Sequence, residues 1–596
     1  MPPPRAEYER RLIEWRQRIA ALDRASFQIS NGRLLIAGIG AVLLWAAFIR
    51  GSVSPWWAVV AWMTFAAVAV VHAKYLERLE RARRAARLYD RGLARLSGRW
   101  AGSGRDGAAF GEGHPYARDL DLFGRSSLFE LLNTARTEAG EATLADWIAR
   151  GASVGEVRAR QRAVDELRSK LDFREDIAVL AAEGEVSRTG TLARWAASPP
   201  AGFPVGLSLL FAACALAAIV LAILASIKVI SWAPLILWLM VEGAIAWRWR
   251  RSLQRVMGGI GQPASDLKIL AALARRIDRE RVASPKLVGI HSELAGCAAA
   301  VASLERLASL LESTMHNVLF LPITRTLFVP EQLAMAIDRW HQAHGGAVAE
   351  WLRLVGELEA LLSLATYAFE QPDDPFPTFA EATRFDAVGL RHPLIYRDVA
   401  VPNDVRLAGP ASAPDQPGPQ VIIVSGSNMS GKSTLLRAVG VNAVLALAGA
   451  PVRAAALTLS HLTIGATLRI DDSLEAGHSK FYNEILRIKS IVEAARGPTP
   501  TLFLLDEILH GTNSHDRRVG AEAVVRALVA AGAIGLVTTH DLALTEMAPQ
   551  LGTAAVNMHF EDRLEQGRVL FDYRMRPGVV DHSNALALMR AIGLDV

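Results

Sequence analysis

The first hundred residues combine amphipathic segments with uniformly apolar ones. Within residues 1–30 an apolar side chain recurs every three or four positions, at Tyr8, Leu12, Trp15, Ile19 and Leu22. This spacing draws one apolar stripe along a helix whose other faces are polar and rich in arginine. Arginines also stand where a signal peptide would need its apolar core. We therefore predict a cytoplasmic amphipathic helix over 1–30.

Two apolar runs follow, at 34–49 and 56–71, and only six residues separate them. Each run is near the short end of the roughly 17–25 residues that cross a bilayer as a helix. Arginine is dense on the outer flanks, and tryptophans suited to a membrane interface occur at Trp45, Trp56, Trp57 and Trp62. We predict a transmembrane hairpin over 31–73, with buried core helices as the alternative.

A basic helix and a glycine-rich linker are predicted over 74–118. The helix carries a second apolar seam, at Leu79, Ala82, Ala86, Tyr89, Leu93 and Leu96. This seam could pair with the first helix as an antiparallel stalk, or the polar face could be a solvated surface near lipid headgroups. The linker, residues 97–113, is marked by its repeated glycines.

A second hairpin is predicted over 203–248 from apolar runs at 205–225 and 229–247. Arginines follow the second run, so the positive-inside rule places both termini and all long segments in the cytoplasm. The protein is therefore expected to be a multi-pass protein of the inner or plasma membrane. Glu242 interrupts the second run, and a pairing or snorkelling carboxylate is favoured there over a proton or ion site.

Helical periodicity dominates the remaining segments before residue 391. It is found in 126–133, 158–167, 266–281, 293–312 and 347–369. We predict two all-α parts of one region, over 119–202 and 249–390, interrupted by the second hairpin.

The clearest chemistry follows the apolar run 421–424, which predicts a buried parallel strand. The next residues match the pattern G-x-x-x-x-G-K-[ST] of a phosphate-binding loop. Its glycines let backbone N–H groups surround phosphates, Lys432 supplies a cation, and Ser433 offers a hydroxyl to Mg²⁺ at a helix start. The predicted ATP-binding residues are Gly426, Ser427, Asn428, Met429, Ser430, Gly431, Lys432, Ser433 and Thr434.

Two further apolar strands end in candidate catalytic residues. The strand 501–505 leads into Asp506 and Glu507, a Walker B arrangement. Asp506 is expected to hold Mg²⁺ with Ser433, and Glu507 to orient or deprotonate the attacking water. The strand 534–538 leads to His540, a candidate sensor of the γ-phosphate. ATP and Mg²⁺ are therefore the predicted ligands.

Composition narrows the setting of this site. The chain has 596 residues, 51% of them hydrophobic, and its mean hydropathy of +0.22 is high for a soluble protein. Its two cysteines exclude a disulfide framework or a thiol metal cluster. The formal charge of +5 fits either nucleic acid or arginines that flank membrane segments.

Several segments resemble the MutS family of ATPases. The segment 122–167 resembles the opening of its core-and-lever domain, and the segments 391–394, 401–404 and 427–434 resemble its ATPase domain, with Asn428-Met429 distinctive. The segments 477–484, 511–516, 556–559 and 576–583 extend the likeness, although Leu509 and His510 depart from the family's usual Gly-Arg. The resemblance implies that Ser479 reaches the γ-phosphate of an opposite subunit in a homodimer, and that His559 stacks on adenine.

Features of mismatch-repair members are expected to be missing. The first hundred residues leave no place for a mismatch-reading domain, and the Phe-x-Glu matches at Phe110 and Phe379 look coincidental. We also expect no C-terminal helix-turn-helix after the ATPase domain. Mismatch sensing is therefore not expected.

The predicted fold is an α/β P-loop NTPase domain of the ABC/MutS-like class over 391–596, preceded by an all-α lever region and four transmembrane helices in two hairpins. Three functions fit the sequence: a DNA-associated ATP switch, an ATP switch acting on a membrane or protein partner, and a transporter ATPase. The transporter is the weakest, because the chain has no Leu-Ser-Gly-Gly-Gln signature.

Overall fold

The structure is a computed structural model and describes most of the chain. The described residues are 3–182, 189–204, 206–260, 263–316, 321–410, 418–427, 429–469, 480–509, 511–565 and 568–580. They divide into two compact units, Met1–Gly104 and Arg105–Val596.

The first unit consists of two long helices, α1 (Pro4–Phe48) and α2 (Pro55–Leu96). Each helix runs without a break through a predicted domain boundary, near residue 30 in α1 and near residue 73 in α2. The amphipathic and apolar segments are therefore parts of continuous helices. We had predicted these two boundaries from a change in side-chain polarity along the sequence. Such a change alters the environment that the helix surface prefers, but it does not interrupt the backbone hydrogen bonds of the helix.

The two helices pack antiparallel along their length. Tyr8 and Tyr89 meet edge to face with ring centroids 5.4 Å apart, and Arg83 Nη2 lies 3.1 Å from Asp23 Oδ1. The two helices approach closely at Gly92, where a Cβ would stand 2.5 Å from the Tyr8 ring. Of the two alternatives predicted for the basic helix, the structure therefore has the first, an antiparallel stalk with the N-terminal helix.

Four helical stretches of the described residues are long and apolar enough to cross a membrane, judged by length and composition alone. They are Pro4–Phe48, Pro55–Leu96, Leu207–Ser226 and Pro285–Thr314. The first three contain predicted spans. The run 229–247 is absent from this set, because its helix begins only at Ala233 and the first 18 residues from there already contain Glu242, Arg248 and Arg250.

The helical part of the second unit is built from twelve helices among its described residues. They are α3 (Leu128–Leu132), α4 (Glu138–Arg150), α5 (Val154–Arg168), α6 (Leu171–Ala181), α7 (Thr189–Ala197), α8 (Leu207–Ser226), α9 (Ala233–Ile260), α10 (Pro263–Asp278), α11 (Pro285–Glu293), α12 (Cys297–His316), α13 (Leu321–Thr326) and α14 (Val329–Glu370). Helices α8 and α9 contact each other as the predicted second hairpin. The stretch Pro285–Thr314 is divided between α11 and α12, and α12 packs against α10 and α14.

Helix α14 is the central element of this region. It has 42 residues, and it contacts α4, α5, α7 and α12 along its length. Glu359 of α14 is buried and accepts hydrogen bonds from the backbone N–H groups of Arg136 and Thr137 at the start of α4. Burial raises the pKa of Glu359 to about 7.

The C-terminal part contains two sheets and four further helices among the described residues. The first sheet has the order β1-β5-β2-β3, and the second has the order β10-β9-β4-β8-β7-β6. The strands are β1 (Thr378–Phe379), β2 (Arg384–Leu390), β3 (Asn403–Ala408), β4 (Val421–Ser425), β5 (Ala456–Leu459), β6 (Thr463–Thr467), β7 (Thr501–Asp506), β8 (Ile534–Thr539), β9 (Ala555–Glu565) and β10 (Arg568–Pro577). The helices are α15 (Lys432–Ala448), α16 (Lys480–Ala495), α17 (Ser514–Ala530) and α18 (Met547–Leu551).

One predicted boundary is wrong. The all-α region was expected to end at residue 390 and the ATPase domain to begin at 391, but helical structure ends with α14 at Glu370. Strands β1 and β2 follow, and β2 pairs antiparallel with both β3 and β5. The seven-residue strand β2 forms because it pairs with these distant strands. Its own sequence is therefore only weakly indicative of a strand.

The second sheet positions the predicted site. Its strands β4, β6, β7, β8 and β9 are parallel, and β10 pairs antiparallel at the edge. Phe503 and Leu505 of β7 pack toward α16 and α17, whereas Leu504 faces α15, so both faces are covered. The carboxyl ends of β4, β7 and β8 therefore lie together at one edge of a buried sheet.

Candidate nucleotide site

The phosphate loop joins β4 to α15, as the sequence predicts. All five residues of β4 are buried, and Gly431, with φ 108°, is the N-cap of α15. Gly426 has φ 145°, and a Cβ there would stand 3.0 Å from both the Phe560 carbonyl oxygen and Ser430 Oγ. Side chains rarely adopt these backbone angles, so the loop requires glycine at both positions.

Lys432 lies inside the loop with only 4% of its surface exposed. Its Nζ donates to the carbonyl oxygens of Gly426 at 2.7 Å and Ser427 at 3.0 Å. The hydroxyl oxygens of Ser427 and Ser430 are buried and have no hydrogen-bond partner within the described part of the chain. A buried ammonium beside unsatisfied hydroxyls at a helix N-terminus fits the oxygens of a phosphate.

Asp506 and Glu507 stand at the carboxyl end of β7, beside Thr538 of β8. The Thr538 hydroxyl donates to Asp506 Oδ1, and the Glu507 backbone N–H donates to Thr538 Oγ1 at 3.1 Å. Glu507 has φ 46°, in the left-handed region that is uncommon for residues other than glycine. This local turn directs the carboxylate of Glu507 toward the phosphate loop, where Oε1 lies 3.4 Å from Lys432 Nζ.

His540 follows β8 directly and lies on the other side of the same carboxylate. Its Nδ1 is 3.4 Å from Glu507 Oε2, and the side chains of His540 and Glu507 are 44% and 23% exposed. Glu507 is thus placed between an ammonium and an imidazole. The sequence predicted Lys432, Glu507 and His540 separately on three elements, and the structure brings them together.

A cavity of about 530 Å³ opens beside these residues. Its polar side is formed by the phosphate loop, including Ser433 and Thr434, and by Glu507. Its other side is largely apolar and is lined by Leu390, His392, Ile395, Val399, Ala400, Val401, Asn403, Leu435, Ala438, Phe560 and Tyr573. The cavity can therefore accommodate a molecule with an anionic end and a flat apolar end.

His392 is a lining residue that was not predicted as part of the site. Burial lowers its pKa to about 4, and the nearby Arg437 guanidinium acts in the same direction. The ring is therefore neutral at physiological pH, and Nδ1 accepts from the Leu394 backbone N–H at 3.2 Å. This assigns the proton to Nε2, which makes His392 a hydrogen-bond donor on the cavity wall. The motif Arg391-His392-Pro393-Leu394 was the available signal.

The predicted stacking residue His559 does not line this cavity. Its Nδ1 is 3.2 Å from the Gly578 carbonyl oxygen, and its neighbour Phe560 contributes to the wall instead. Successive residues of a strand point to opposite faces, so only one of the two can face the cavity. Tyr573 lines the wall from β10, with φ 55°, and its distance along the chain gave no sequence signal.

Some of the remaining predicted residues lie within the described part of the chain, and others lie outside it. Ser433 and Thr434 line the cavity, and Met429 is 84% exposed with φ 71°. Asn428, Ser479 and His510 lie outside the described residues. The described residues contain no group of three or more His, Cys, Asp and Glu that could hold a metal. The hydroxyl of Ser433 and the carboxylate of Asp506 are oxygen donors of the kind that magnesium prefers, and a magnesium ion that takes its other ligands from phosphate and water oxygens would need no such group.

One junction was missed by sequence reasoning. Asp119 is fully buried and belongs to the predicted lever region, but its carboxylate contacts residues of the nucleotide-binding domain. Oδ1 accepts from the backbone N–H groups of Leu468 at 2.8 Å and Arg469 at 2.6 Å, and Oδ2 lies 2.7 Å from Arg487 Nη1. Arg437 of α15 donates to the Asp119 carbonyl oxygen at 3.0 Å. The lever region is therefore fastened directly to the P-loop helix.

Comparison with known proteins agrees with this geometry. The profile of the family "MutS domain V" matches residues 422–595. The DNA mismatch repair protein MSH3 of Phaeosphaeria nodorum is 34% identical over 240 residues, which cover 39% of this chain and 21% of the relative. The DNA mismatch repair protein MutS of Natronomonas pharaonis is 33% identical over 271 residues, 45% of this chain and 29% of the relative. The DNA mismatch repair protein MutS of Thermus thermophilus is 31% identical over 271 residues, 44% of this chain and 31% of the relative.

The chain spans less than a third of the length of each of these relatives. The family match begins within β4 and covers the phosphate loop and the other strands of the second sheet, whereas the cavity-lining residues from Leu390 to Asn403 precede it. The match to MutS domain V, an α/β P-loop domain of the ATPase type, and the likeness to MutS and MSH3 proteins support a MutS-related family for this part of the chain.

Proposed function

We propose that this protein is a membrane-anchored, MutS-type ATPase that uses ATP binding and hydrolysis as a conformational switch. The observation that carries the proposal is the placement of Glu507 between Lys432 Nζ and His540 Nδ1, each 3.4 Å away, at the mouth of the cavity. These groups come from three neighbouring parallel strands, and the loop beside them has buried hydroxyls that need partners.

The residues divide the work of phosphoryl transfer. Lys432 exchanges its loop carbonyl partners for phosphate oxygens, and the backbone of the loop surrounds them. Ser433 and Asp506 would hold Mg²⁺, which would supply charge neutralisation on the phosphates. The apolar wall receives the base, with Tyr573 and the neutral His392 as its contacts.

Hydrolysis then depends on Glu507. Its carboxylate orients the attacking water and accepts a proton from it, and His540 holds the carboxylate in position and responds to the γ-phosphate. Release of Lys432 from Glu507 on ATP binding frees the carboxylate for this role. The family resemblance adds a homodimer in which Ser479 completes the partner's site.

The proposed macromolecular partner is DNA. The matched relatives carry the name DNA mismatch repair protein. The chain's basic character, with a net charge of +5, favours the same partner. Mismatch reading is not part of the proposal.

The proposed location is the inner or plasma membrane, with the nucleotide domain in the cytoplasm. Its support is the exposed apolar surface of α1, α2 and α8, together with the arginines that flank the apolar segments. A cysteine placed at Ser226 tests this orientation. We expect it to react with a membrane-impermeant reagent from outside the cell, and reaction from the cytoplasmic side alone would overturn the orientation.

Two variants test the assigned chemistry. Lys432→Ala is expected to weaken ATP binding, whereas Glu507→Gln should keep binding and slow hydrolysis, because charge neutralisation and water activation are separate functions. Nucleotide affinity and turnover are measured on the solubilised full chain, with the surface variant Lys489→Gln as a control. Equal loss of binding in Lys432→Ala and Glu507→Gln would refute the roles.

Helix α14 favours a second candidate, an ATP switch that acts on a membrane or protein partner. Near its start, Gln332 hydrogen-bonds to Ser208 of α8, and Phe328 stacks on Phe211 with centroids 4.6 Å apart. Toward its end it packs on α4 and α5, which contact α15. One rigid helix thus joins the second hairpin to the P-loop helix.

The two candidates differ in what moves with nucleotide. If α14 transmits the state of the site, a cysteine pair at Ser208 and Gln332 should form a cross-link at different rates with and without ATP. A cysteine pair within the stalk, at Arg16 and Asp90, is the control. Equal rates at the first pair, in protein that binds ATP, would leave the DNA switch as the function.

A further inference from the structure

The turn that follows the strand β7 has an unusual backbone conformation. Glu507 has φ 46° and Leu509 has φ 61°, and both values lie in the left-handed region. Residues other than glycine rarely adopt this region, and they keep it only where the surrounding structure holds them there. The role proposed for Glu507 depends on this turn, because the turn directs its carboxylate toward Lys432 and His540.

The beginning of the turn is anchored to the neighbouring strand. The Glu507 backbone N–H donates to Thr538 Oγ1 of β8 at 3.1 Å. Ile508, the next residue, is 2% exposed and packs in the hydrophobic core with residues of α16 and α17. These contacts fix where the turn begins, but the backbone after Ile508 must be held by other groups.

Two charged side chains anchor the other end of the turn at Leu509. Glu484 of α16 is 4% exposed, and its Oε1 accepts a hydrogen bond from the Leu509 backbone N–H. Arg517 of α17 donates from Nε to the Leu509 carbonyl oxygen at 3.2 Å and from Nη2 to the Thr512 carbonyl oxygen at 3.3 Å. Side chains from two different helices therefore bind both backbone groups of one residue. We call Glu484 and Arg517 the Leu509 clamp.

The side chain of Leu509 adds an apolar contact to these hydrogen bonds. It is 8% exposed and packs against α17, where a Cβ on Gly520 would stand 2.7 Å from its Cδ1. Glycine would adopt the left-handed conformation without strain, but it would supply no such contact. The turn is thus held on both sides of Leu509 and through its side chain, which is the condition under which a strained conformation persists at a functional site.

We propose that Glu484 and Arg517 are positioning residues for ATP hydrolysis. Neither is among the residues that line the described cavity, and both act through the backbone of Leu509, which sets the direction of the Glu507 carboxylate two residues earlier. The inference rests on the proposed function, because it takes from it the role of Glu507 in activating water. A misplacement of about 1 Å at such a group lowers the rate by about 100-fold.

The test compares two replacements of Glu484 in the solubilised full chain. Glutamine keeps a side-chain oxygen that accepts from the Leu509 N–H, whereas methionine has a similar length and offers only a weakly accepting sulfur. Removing the acceptor of a buried N–H disfavours the productive turn by about 5- to 100-fold, so kcat should fall within that range in Glu484→Met. ATP affinity should stay within about threefold of the wild type, and Glu484→Gln should regain most of the lost turnover.

Arg517 tests the clamp from the other helix. Arg517→Met removes the hydrogen bonds to Leu509 and Thr512, and it should lower kcat with little change in ATP affinity. The double variant with Glu484→Met should lose little more than the larger single loss, because one broken anchor already releases the turn. Glu493→Met on α16 and Arg526→Met on α17 are matched controls, with side chains 61% and 43% exposed, and they should match the wild type.

Four results would overturn the proposal. The first is an unchanged kcat in both methionine variants, in protein that hydrolyses ATP, which would refute the clamp and leave the ATPase proposal standing. The second is a parallel loss of ATP affinity, which would make the role merely structural. The third is an equal loss of kcat in Glu484→Gln, which would assign the effect to charge, and the fourth is a pair of losses that multiply in the double variant. Wild-type protein that binds ATP without hydrolysing it would refute the ATPase role itself and the clamp with it.

Discussion

Replacing Asp119 by asparagine should loosen the junction between the lever region and the nucleotide domain. The carboxylate is fully buried and has three polar partners, the backbone N–H groups of Leu468 and Arg469 and the Arg487 guanidinium. Asparagine keeps the oxygen that accepts from the two N–H groups. It replaces the other oxygen by an NH₂ group that opposes Arg487, so the Arg487 guanidinium, whose side chain is 32% exposed, loses its buried counterion.

The magnitude follows from burial. Removing one partner of a fully buried ion pair costs about 3–5 kcal/mol, whereas a pair near the surface contributes about 0.2–1 kcal/mol. Because Asp119 is fully buried but Arg487 is 32% exposed, we expect at most the lower end of the first range, about 3 kcal/mol. Asp121 supplies the matched comparison, because it also pairs with an arginine, Arg469 at 2.7 Å, while its side chain is 31% exposed. Asp121→Asn also retains a residue type that tolerates the φ of 51° at this position.

Hydrogen exchange of the backbone around Leu468 and Arg469 measures the junction directly. A loss of about 3 kcal/mol in local stability corresponds to exchange that is roughly 100-fold faster, and a loss below about 1 kcal/mol to less than about five-fold. We expect the first result for Asp119→Asn and the second for Asp121→Asn. Similar exchange in the two variants would refute the argument that burial of the Asp119 carboxylate holds the junction.

Two further predictions concern the second unit. Glu359 has a pKa raised to about 7 by burial; the native state therefore binds its proton more tightly than the unfolded state, and this contribution to stability is complete below about pH 4.5 and falls by roughly 3 kcal/mol as the pH rises to about 7. Thermal unfolding between about pH 5 and 8 should show this decline in the wild type and a weaker one in Glu359→Gln, and parallel profiles would contradict it. Gly535→Ala should cost at least about 3 kcal/mol, because a Cβ would stand 2.1 Å from the Phe503 carbonyl oxygen in the neighbouring strand. Gly346→Ala, with nothing within 4 Å, is its control, and equal melting temperatures would disprove the steric argument.

The strands that surround the proposed nucleotide site were readable from the sequence. The strands β4, β7 and β8 begin at the predicted positions, because each is a short apolar run followed by a residue with a predicted phosphate, metal or water role. Glycines with positive φ and a lysine at a helix start belong to one continuous segment. Because all residues of such a motif are close together in the chain, the motif can be recognised completely from the sequence.

The positions of the apolar segments could also be predicted from the sequence, but their packing could not. Polarity predicted the runs at 34–49, 56–71 and 205–225, and helices occupy nearly all of each. It could not predict that α1 and α2 are continuous, and it could not decide between the antiparallel stalk and the alternative of a solvated face, since that depends on contacts such as Tyr8 with Tyr89. Membrane crossing remains a prediction.

Only the tertiary structure showed which residues that are distant in sequence line the same cavity or form the same junction. The cavity wall combines His392 and Tyr573, which are far apart in sequence, and register along β9 selects Phe560 over His559. The strand β2 and the buried Asp119 acquire their roles from partners in other segments. Such roles arise when folding removes water from polar groups and forces them to find partners, and the identity of those partners is a property of the packed chain rather than of local sequence.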